Sequence, residues 1–258
     1  MQRIFTKVTI FFIIFLAYSA HSMAGQNSSF EFPKTIIYKI IRNKQYIAKS
    51  VLKFSQKAKF RSLLTMGNIQ GFGISSNQTI VTYINKDDLS LYSSFVTKGQ
   101  ETIEELRFKE AENIGLLGNQ VYLHTNFEDN TSPTITEIGS PYTVIDLLSS
   151  FVVLSNKIHN KNYGNEQYNL FIKTSYIVEC SVKMNVLRQY KDDQVSTSQV
   201  TLKYIFPEDQ KKNQIESVDL FVFYIYNNKS KGVCFPICVE LDDATGNKLQ
   251  MIASQVVK

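Results

Sequence analysis

Apolar and polar residues alternate along much of this chain, most clearly in SYIVECSVKMNV, residues 175–186. Every second residue from Tyr176 to Val186 is apolar or cysteine, and from Glu179 onwards the residues between them are polar. A period of two places successive side chains on opposite faces of a β-strand. The segment is therefore predicted to be a strand with one buried face.

Similar runs recur along the chain, separated by turn-rich stretches such as YKDDQ and DDATGN. They lie at 35–41, 46–54, 78–84, 89–97, 198–206, 218–226, 232–241 and 248–257. Short strands without alternating helices are typical of antiparallel sandwiches and barrels. The predicted fold class is all-β, an antiparallel curved sheet or barrel-like fold.

The run VDLFVFYIY, residues 218–226, is apolar at both sets of alternating positions. A strand of this kind is buried on both faces, so it is expected to lie centrally in the sheet with another element covering its second face.

One segment, GSPYTVIDLLSSFVVLSNKI at 139–158, has the features of a helix and is the natural candidate for that cover. Ser140 suits the N-cap and Pro141 the first turn, which predicts one capping or plugging α-helix at about residues 141–156. Its apolar face, with Val144, Leu148, Phe151 and Val152, is expected to pack on the sheet or to line a cavity. The β-branched residues of FVVL leave a strand as the alternative.

The N-terminal segment has the three parts of an export signal. Arg3 and Lys7 are basic, 8–17 is apolar, and small residues precede a cleavage point between Ala24 and Gly25. An uncleaved anchor is the alternative, but this apolar stretch is shorter than the roughly 20 residues that span a bilayer. We therefore expect residues 1–24 to be a signal peptide and 25–258 a single antiparallel β domain. That domain would be periplasmic or secreted, with no stable membrane span after cleavage.

The charge of the chain is nearly balanced, with 28 Lys and Arg against 23 Asp and Glu. Basic residues occur singly or in pairs and are interleaved with acidic residues in the predicted loops. The sequence shows no continuous basic stripe that would follow a phosphate backbone, so nucleic-acid binding is disfavoured.

The cysteines, Cys180, Cys234 and Cys238, are expected in a compartment where disulfides persist. In one extended strand Cys234 and Cys238 would point the same way roughly 13 Å apart, too far to bridge unless Pro236 introduces a bulge. Two states stay open: a disulfide between Cys180 and either Cys234 or Cys238, or three reduced, buried thiols.

Motifs for catalysis, metal binding and cofactors are missing from the sequence. There is no Gly-x-Ser-x-Gly elbow, phosphate loop, dinucleotide fingerprint or His-Glu-x-x-His. The cysteines and histidines do not have the spacing of zinc ligands. We expect neither catalytic residues, nor a metal site, nor a cofactor.

Four stretches resemble the bacterial exported family catalogued as domain of unknown function 3108. IIYKIIRNKQYIAKSVLKF is similar to its opening strand pair, and VIDLLSS to its Asp-Pro-Leu-Ser segment, with Leu147 where proline is usual. YGNEQYNLFIKT resembles a turn that introduces a strand, and FPICVELDDATGNKLQMI the closing hairpin. The resemblance implies an antiparallel, barrel-like β fold in the cell envelope, and it implies no established activity.

Two functional hypotheses follow. The first is a non-catalytic binding module for an apolar or lipid-like ligand, enclosed between a curved sheet and its helix. The alternative is a structural or protein-interaction component of the bacterial envelope, whose partner would be another envelope protein.

Overall fold

The computed structural model describes residues 32–56, 61–67, 78–85, 89–109, 120–128, 132–138, 142–172, 174–206, 217–242 and 248–257. These residues belong to one compact unit, Glu31–Lys258. The predicted cleavage point between Ala24 and Gly25 lies outside them, as do Ser140 and Pro141.

The described elements are fifteen strands, one α-helix and a short 3-10 turn at Lys229–Lys231. The elements are β1 (Thr35–Arg42), β2 (Gln45–Gln56), β3 (Arg61–Gly67), β4 (Gln78–Asn85), β5 (Leu91–Lys98), β6 (Glu101–Lys109), β7 (Gln120–Asn126), β8 (Thr134–Ile138), β9 (Thr143–Asp146), α1 (Leu147–His159), β10 (Glu166–Ile172), β11 (Thr174–Tyr190), β12 (Asp193–Ile205), β13 (Ser217–Asn228), β14 (Val233–Asp242) and β15 (Lys248–Val257). The all-β class with one helix is confirmed.

All fifteen strands form one sheet, in the order β8-β7-β6-β5-β4-β3-β2-β1-β15-β14-β13-β12-β11-β10-β9. Two meanders, β1–β8 and β9–β15, meet where β1 pairs with β15. Every pairing is antiparallel except that of β9 with β10, which is parallel. Among the described residues, β8 and β9 pair with no strand beyond the ends of this order, so the sheet is curved and open rather than a closed barrel.

The predicted strands are found within a few residues of their expected bounds. The run at 175–186 lies in β11, and 218–226 lies in β13, between β12 and β14. No alternating run was assigned to β3, β6, β7, β8 or β9, and β10 was indicated only by the resemblance of YGNEQYNLFIKT to a turn that introduces a strand. β9 and β10 join the sheet through pairings that no local pattern reveals.

The helix begins later than predicted, and it ends at His159 rather than near residue 156. Thr143–Asp146 is a strand, because it pairs with Tyr168–Phe171 of β10. The N-cap is consequently Asp146 instead of Ser140. Ser149 and Ser150 of the first helical turn are buried together with the apolar residues.

The sheet curves around α1, since the helix contacts β3 and β4 as well as β9, β10, β13 and β14. These two groups of strands are far apart in the strand order. The end of the sheet at β9 meets β5 and β6 through a buried apolar cluster, formed by Leu91, Leu106, Val144 and Phe171. The fold is therefore a curled sheet with α1 at its centre.

Candidate functional site

The predicted helix residues all lie in the core. Leu148, Phe151 and Val152 are buried on α1, and Val144 is buried on β9. The Phe151 ring packs edge to face on two rings of the sheet: Tyr38 of β1, with centroids 5.7 Å apart, and Phe223 of β13, at 5.6 Å. Phe151 thus packs α1 against both β1 and β13.

The N-terminus of α1 is held by a buried capping box. Asp146 Oδ1 accepts a hydrogen bond from the Ser149 amide at 2.7 Å, and Ser149 Oγ accepts one from the Asp146 amide at 2.7 Å. Thr82 of β4 donates to the other carboxylate oxygen of Asp146 at 2.6 Å. This contact ties the start of the helix to a strand 64 residues earlier in the chain.

The C-terminus of α1 is held by a buried lysine. Lys157 Nζ lies 3.0 Å from Glu166 Oε2 and donates to the Gly164 carbonyl at 2.8 Å. Burial raises the pKa of Glu166, but hydrogen bonds from Tyr168 and Lys157 outweigh it and lower the pKa below its ordinary value. The helix is therefore tied to β10 at this end by charge-assisted contacts.

All three cysteines are free and buried. This is the second of the two states left open above, and the structure contains no bridge from Cys180 to Cys234 or Cys238. Burial raises the pKa of each thiol to about 12. Protonated thiols are poor nucleophiles and poor metal ligands.

The expectation that Cys234 and Cys238 point the same way is wrong. The β13–β14 register shifts between Tyr224 and Ile225, which pair with Cys238 and Pro236. As a result Cys234 points to α1, where its thiol donates to the Ser155 carbonyl, while Cys238 lies near Glu240 on the opposite face.

That opposite face of the sheet carries a polar cluster that sequence reasoning missed. Its centre is Glu240 of β14, which is buried. The Glu240 carboxylate lies 3.1 Å from Arg188 and 3.0 Å from Lys248, and it accepts a hydrogen bond from Gln250 at 2.9 Å. Tyr224 donates to it at 3.3 Å.

Glu240 and Lys248 stabilise each other's charged forms. Burial raises the pKa of Glu240, but hydrogen bonds from Lys248 and Gln250 and the charge of Arg188 lower it below its ordinary value. The hydrogen bond to Glu240 raises the pKa of Lys248. Glu240 and Lys248 are therefore both held in their charged forms at neutral pH.

Arg188 reaches this cluster because the end of the β11–β12 hairpin, residues 184–197, leaves the sheet. β12 pairs with β13 over Ser198–Ile205, whereas β11 and β12 continue to pair as far as Tyr190 and Asp193. A register shift after Lys183 marks the bend. We call residues 184–197 the hairpin tip.

The hairpin tip lies over the face of β13 and β14 that points away from α1. The Tyr190 ring contacts those of Tyr226 and Phe235, with centroids 6.0 and 6.2 Å apart. Phe223 faces the helix, so its neighbour Tyr224 faces the tip. Both faces of β13 are therefore covered, as predicted: α1 covers one face, and the hairpin tip, which was not predicted, covers the other.

Large apolar side chains are exposed at two hairpin ends. Tyr46 and Ile47 are 62% and 37% exposed beside the β1–β2 turn, and Met184 and Leu187 are 40% and 63% exposed on the hairpin tip. Other large apolar residues are exposed elsewhere in the described part of the chain, so these two ends are distinguished by the pairing of two such residues and not by exposure alone: Phe127, Ile135, Tyr163, Ile177, Ile205, Val218 and Val257.

Comparisons with known proteins add no assignment: no model of a known family matches this chain, and neither does any curated protein. The resemblance to domain of unknown function 3108 stays a prediction. Within the described residues, no group of three or more His, Cys, Asp or Glu could hold a metal ion. In the same part of the chain, no helix has the length and apolarity needed to cross a bilayer.

Proposed function

We propose that this chain is a non-catalytic binding module of the bacterial envelope that engages another envelope component through the outside of its sheet. The observation that carries the proposal is the position of α1. The helix is enclosed by the curled sheet, with Leu148 and Phe151 fully buried. The interior thus supports the fold, and the surface is left for recognition.

Contacts at both ends of the helix support this assignment. Asp146 is bound by Ser149 and Thr82, and Lys157 is bound by Glu166 and the Gly164 carbonyl. Moving the helix away from the sheet, as a lid would move, would leave these buried polar and charged groups without partners. That loss costs several kcal/mol. A helix held in this way is a core element.

Two chemical features support a non-catalytic role. The thiols, which are the strongest potential nucleophiles of the chain, are buried and have raised pKa values. The carboxylate of Glu240 is already saturated by Arg188, Lys248 and Gln250. A general base needs a carboxylate that can accept a proton from a substrate.

A photo-crosslinking experiment tests the surface proposal. A photoreactive amino acid is placed at Tyr46 or at Leu187, and as a control at Gln167, an exposed polar residue of β10. We expect adducts with an envelope component from Tyr46, from Leu187 or from both, and none from Gln167. Equal labelling at all three positions, or none at any, would contradict the proposal.

Export is part of the proposal and has its own test. Protein purified from the export compartment should begin at Gly25. An intact N-terminus recovered in the membrane fraction would refute cleavage.

A second candidate is the carrier of an apolar or lipid-like ligand. One observation favours it. Within the described residues, β8 and β9, at the two ends of the strand order, are not hydrogen-bonded to each other. These two strands can therefore move apart without breaking backbone hydrogen bonds between them. Native mass spectrometry and organic extraction separate the candidates. A recurring co-purified lipid, reduced in Phe151→Ala, would favour the carrier; a clean protein mass in both variants would favour the surface module.

A further inference from the structure

Negative charge is segregated within the sheet. Six neighbouring strands, β5, β4, β3, β2, β1 and β15, contain no aspartate or glutamate. By contrast, β6 and every strand from β8 to β14 carry at least one acidic residue. The interleaving of basic and acidic residues noted in the predicted loops does not extend to these strands. Strands β1 to β4 lie in a stretch, 32–86, that contains no aspartate or glutamate, and β1 pairs with the acid-free β15.

Lysines are concentrated on the outer face of β1 and β2. Ile36, Tyr38 and Ile40 point into the core, so Lys39 points outwards, and Lys49 is its direct cross-strand partner. Lys53 lies four residues after Lys49 on β2, so its side chain is on the same face. All three lysines are exposed.

These lysines are not neutralised within the described part of the chain. No described carboxylate lies within ion-pairing distance of Lys39, Lys49 or Lys53. Two like charges directly opposite each other destabilise a sheet. An external anion that binds both lysines would remove this repulsion, so the charge of the pair is complementary to an anionic surface.

The same face carries apolar groups between the charges. Ile37, Ile41 and Val51 are partly exposed on it, and Ile252 of β15 lies beside Lys39. Tyr46, opposite Ile41, extends the face to the hairpin end. Lysines alternate here with aliphatic groups, and the tyrosine is at one end.

This composition fits the surface of a bilayer better than other polyanions. Lysine lays its apolar stem on neighbouring aliphatic groups and extends its ammonium to lipid phosphates, and tyrosine prefers the interfacial region. Single-stranded nucleic acid would instead use a row of aromatic rings on which its bases stack.

We propose that the outer face of β15, β1 and β2 binds the anionic surface of a lipid bilayer. Lys39, Lys49 and Lys53 contact the headgroup phosphates, and Tyr46 and Ile47 reach the boundary of the hydrocarbon. The proposal rests on the proposed function, since that function places recognition on the outside of the sheet; it names the envelope component as the membrane surface itself.

Vesicle cosedimentation with the full chain tests the proposal. We expect binding to phosphatidylcholine vesicles containing about one third phosphatidylglycerol, little binding to pure phosphatidylcholine, and loss of binding at about 0.5 M salt. The variant Lys39→Gln/Lys49→Gln/Lys53→Gln should bind roughly 100-fold more weakly, because each lysine near an anionic surface contributes several-fold.

The matched control is Lys98→Gln/Lys161→Gln/Lys183→Gln, which makes the same change in net charge at exposed lysines outside β15, β1, β2 and the hairpin tip. It should bind within about threefold of the unmodified protein. Equal weakening in the two triple variants, or equal binding to neutral vesicles, would overturn the proposal. Binding to a single-stranded oligonucleotide without binding to vesicles would do the same.

Failure here is distinguishable from failure of the proposed function. A protein adduct from Tyr46 or Leu187 in a chain that binds no vesicles would overturn the membrane proposal alone. Absence of both adducts and vesicle binding would overturn the two together.

Discussion

The guanidinium carbon of Arg188 lies 3.5 Å from the centroid of the Tyr224 ring, although their strands, β11 and β13, are separated in the sheet by β12. Arg188 reaches over β12 because the hairpin tip bends out of the sheet. The same side chain is 32% exposed and pairs with the buried Glu240. One arginine therefore supplies both a stacking contact and an ion pair to hold the tip in place.

Replacement of Arg188 by alanine should lower the free energy of unfolding by about 2 kcal/mol, since it removes a cation–π contact and a hydrogen bond to a charged group. Arg188→Lys should recover part of the loss, because it keeps the charge but not the planar stacking. Urea denaturation measures both. A cost below about 0.5 kcal/mol for alanine would show that the tip is held by other contacts.

The free energy of unfolding should depend on pH because Glu240 is ion-paired in the folded protein. Because its folded pKa is below the ordinary value of 4.5, its stabilising contribution is complete above pH 4.5 and is lost as pH falls through the folded pKa. The pKa of Lys248 is raised, so its contribution is complete below 10.5 and is lost as pH rises through the folded pKa.

Glu240→Gln should therefore destabilise the protein by about 2 kcal/mol at neutral pH and flatten both limbs of the pH profile. Thermal unfolding across the pH range measures this. Glu101→Gln, at an exposed carboxyl, is the control and should leave the profile unchanged. Identical profiles for the two variants would contradict the assignment.

Two substitutions in α1 test its place in the core. Leu148→Asp should prevent folding, since an unpaired buried charge costs about 3–5 kcal/mol against a total stability of roughly 5–15. Phe151→Ala should retain a cooperative transition but lose about 3–5 kcal/mol, because the Tyr38 and Phe223 rings lose their partner. A loss below about 1 kcal/mol for Phe151→Ala would mean that the helix is not packed as described.

The hydrogen bond between Thr82 and Asp146 is open to a double-mutant cycle. Asp146→Ala should cost about 2 kcal/mol, the upper end for an N-cap, because it also removes the acceptor for Thr82. Thr82→Val should cost less in the Asp146→Ala background than alone, with a coupling of about 1 kcal/mol. Strict additivity would show that the two side chains do not interact.

The thiols should resist alkylation in the folded protein. With pKa values of about 12, roughly one thiol in ten thousand is ionised at pH about 8, and each is also buried. Mass spectrometry after iodoacetamide treatment should show no native modification and three modified cysteines after denaturation. A persistent loss of two hydrogens, mapped to Cys180 with Cys234 or Cys238, would contradict the reduced state.

The strands of this fold were largely predictable, because alternation is a local signal. The start of the helix was not predictable in the same way. Ser140 and Pro141 form a plausible local cap, but residues 143–146 pair in parallel with β10 and are a strand. The relation Asp146-x-x-Ser149 is the local signal that marks the true cap. Packing, rather than the cap, decides between the two starts.

The surface sites depend on contacts between distant parts of the sequence. Arg188 and Glu240 are 52 residues apart, and nothing near either one in the sequence indicates the other. The bend of the hairpin tip follows from an irregularity between β11 and β12. The acid-free strands were partly visible in the sequence, since residues 32–86 contain no aspartate or glutamate. What the sequence could not show is that the acid-free β15, from the other end of the domain, pairs beside them.

The sheet is complete only when β1 pairs with β15. Each meander consists mainly of strands paired with their neighbours in sequence, which close quickly because the loops are short. The ladder from Thr35 to Arg42 needs Lys248–Val257, the last of the fifteen strands to be synthesised. During synthesis β1 therefore has one unpaired edge, open to pairing with another strand, until the last strand of the chain arrives.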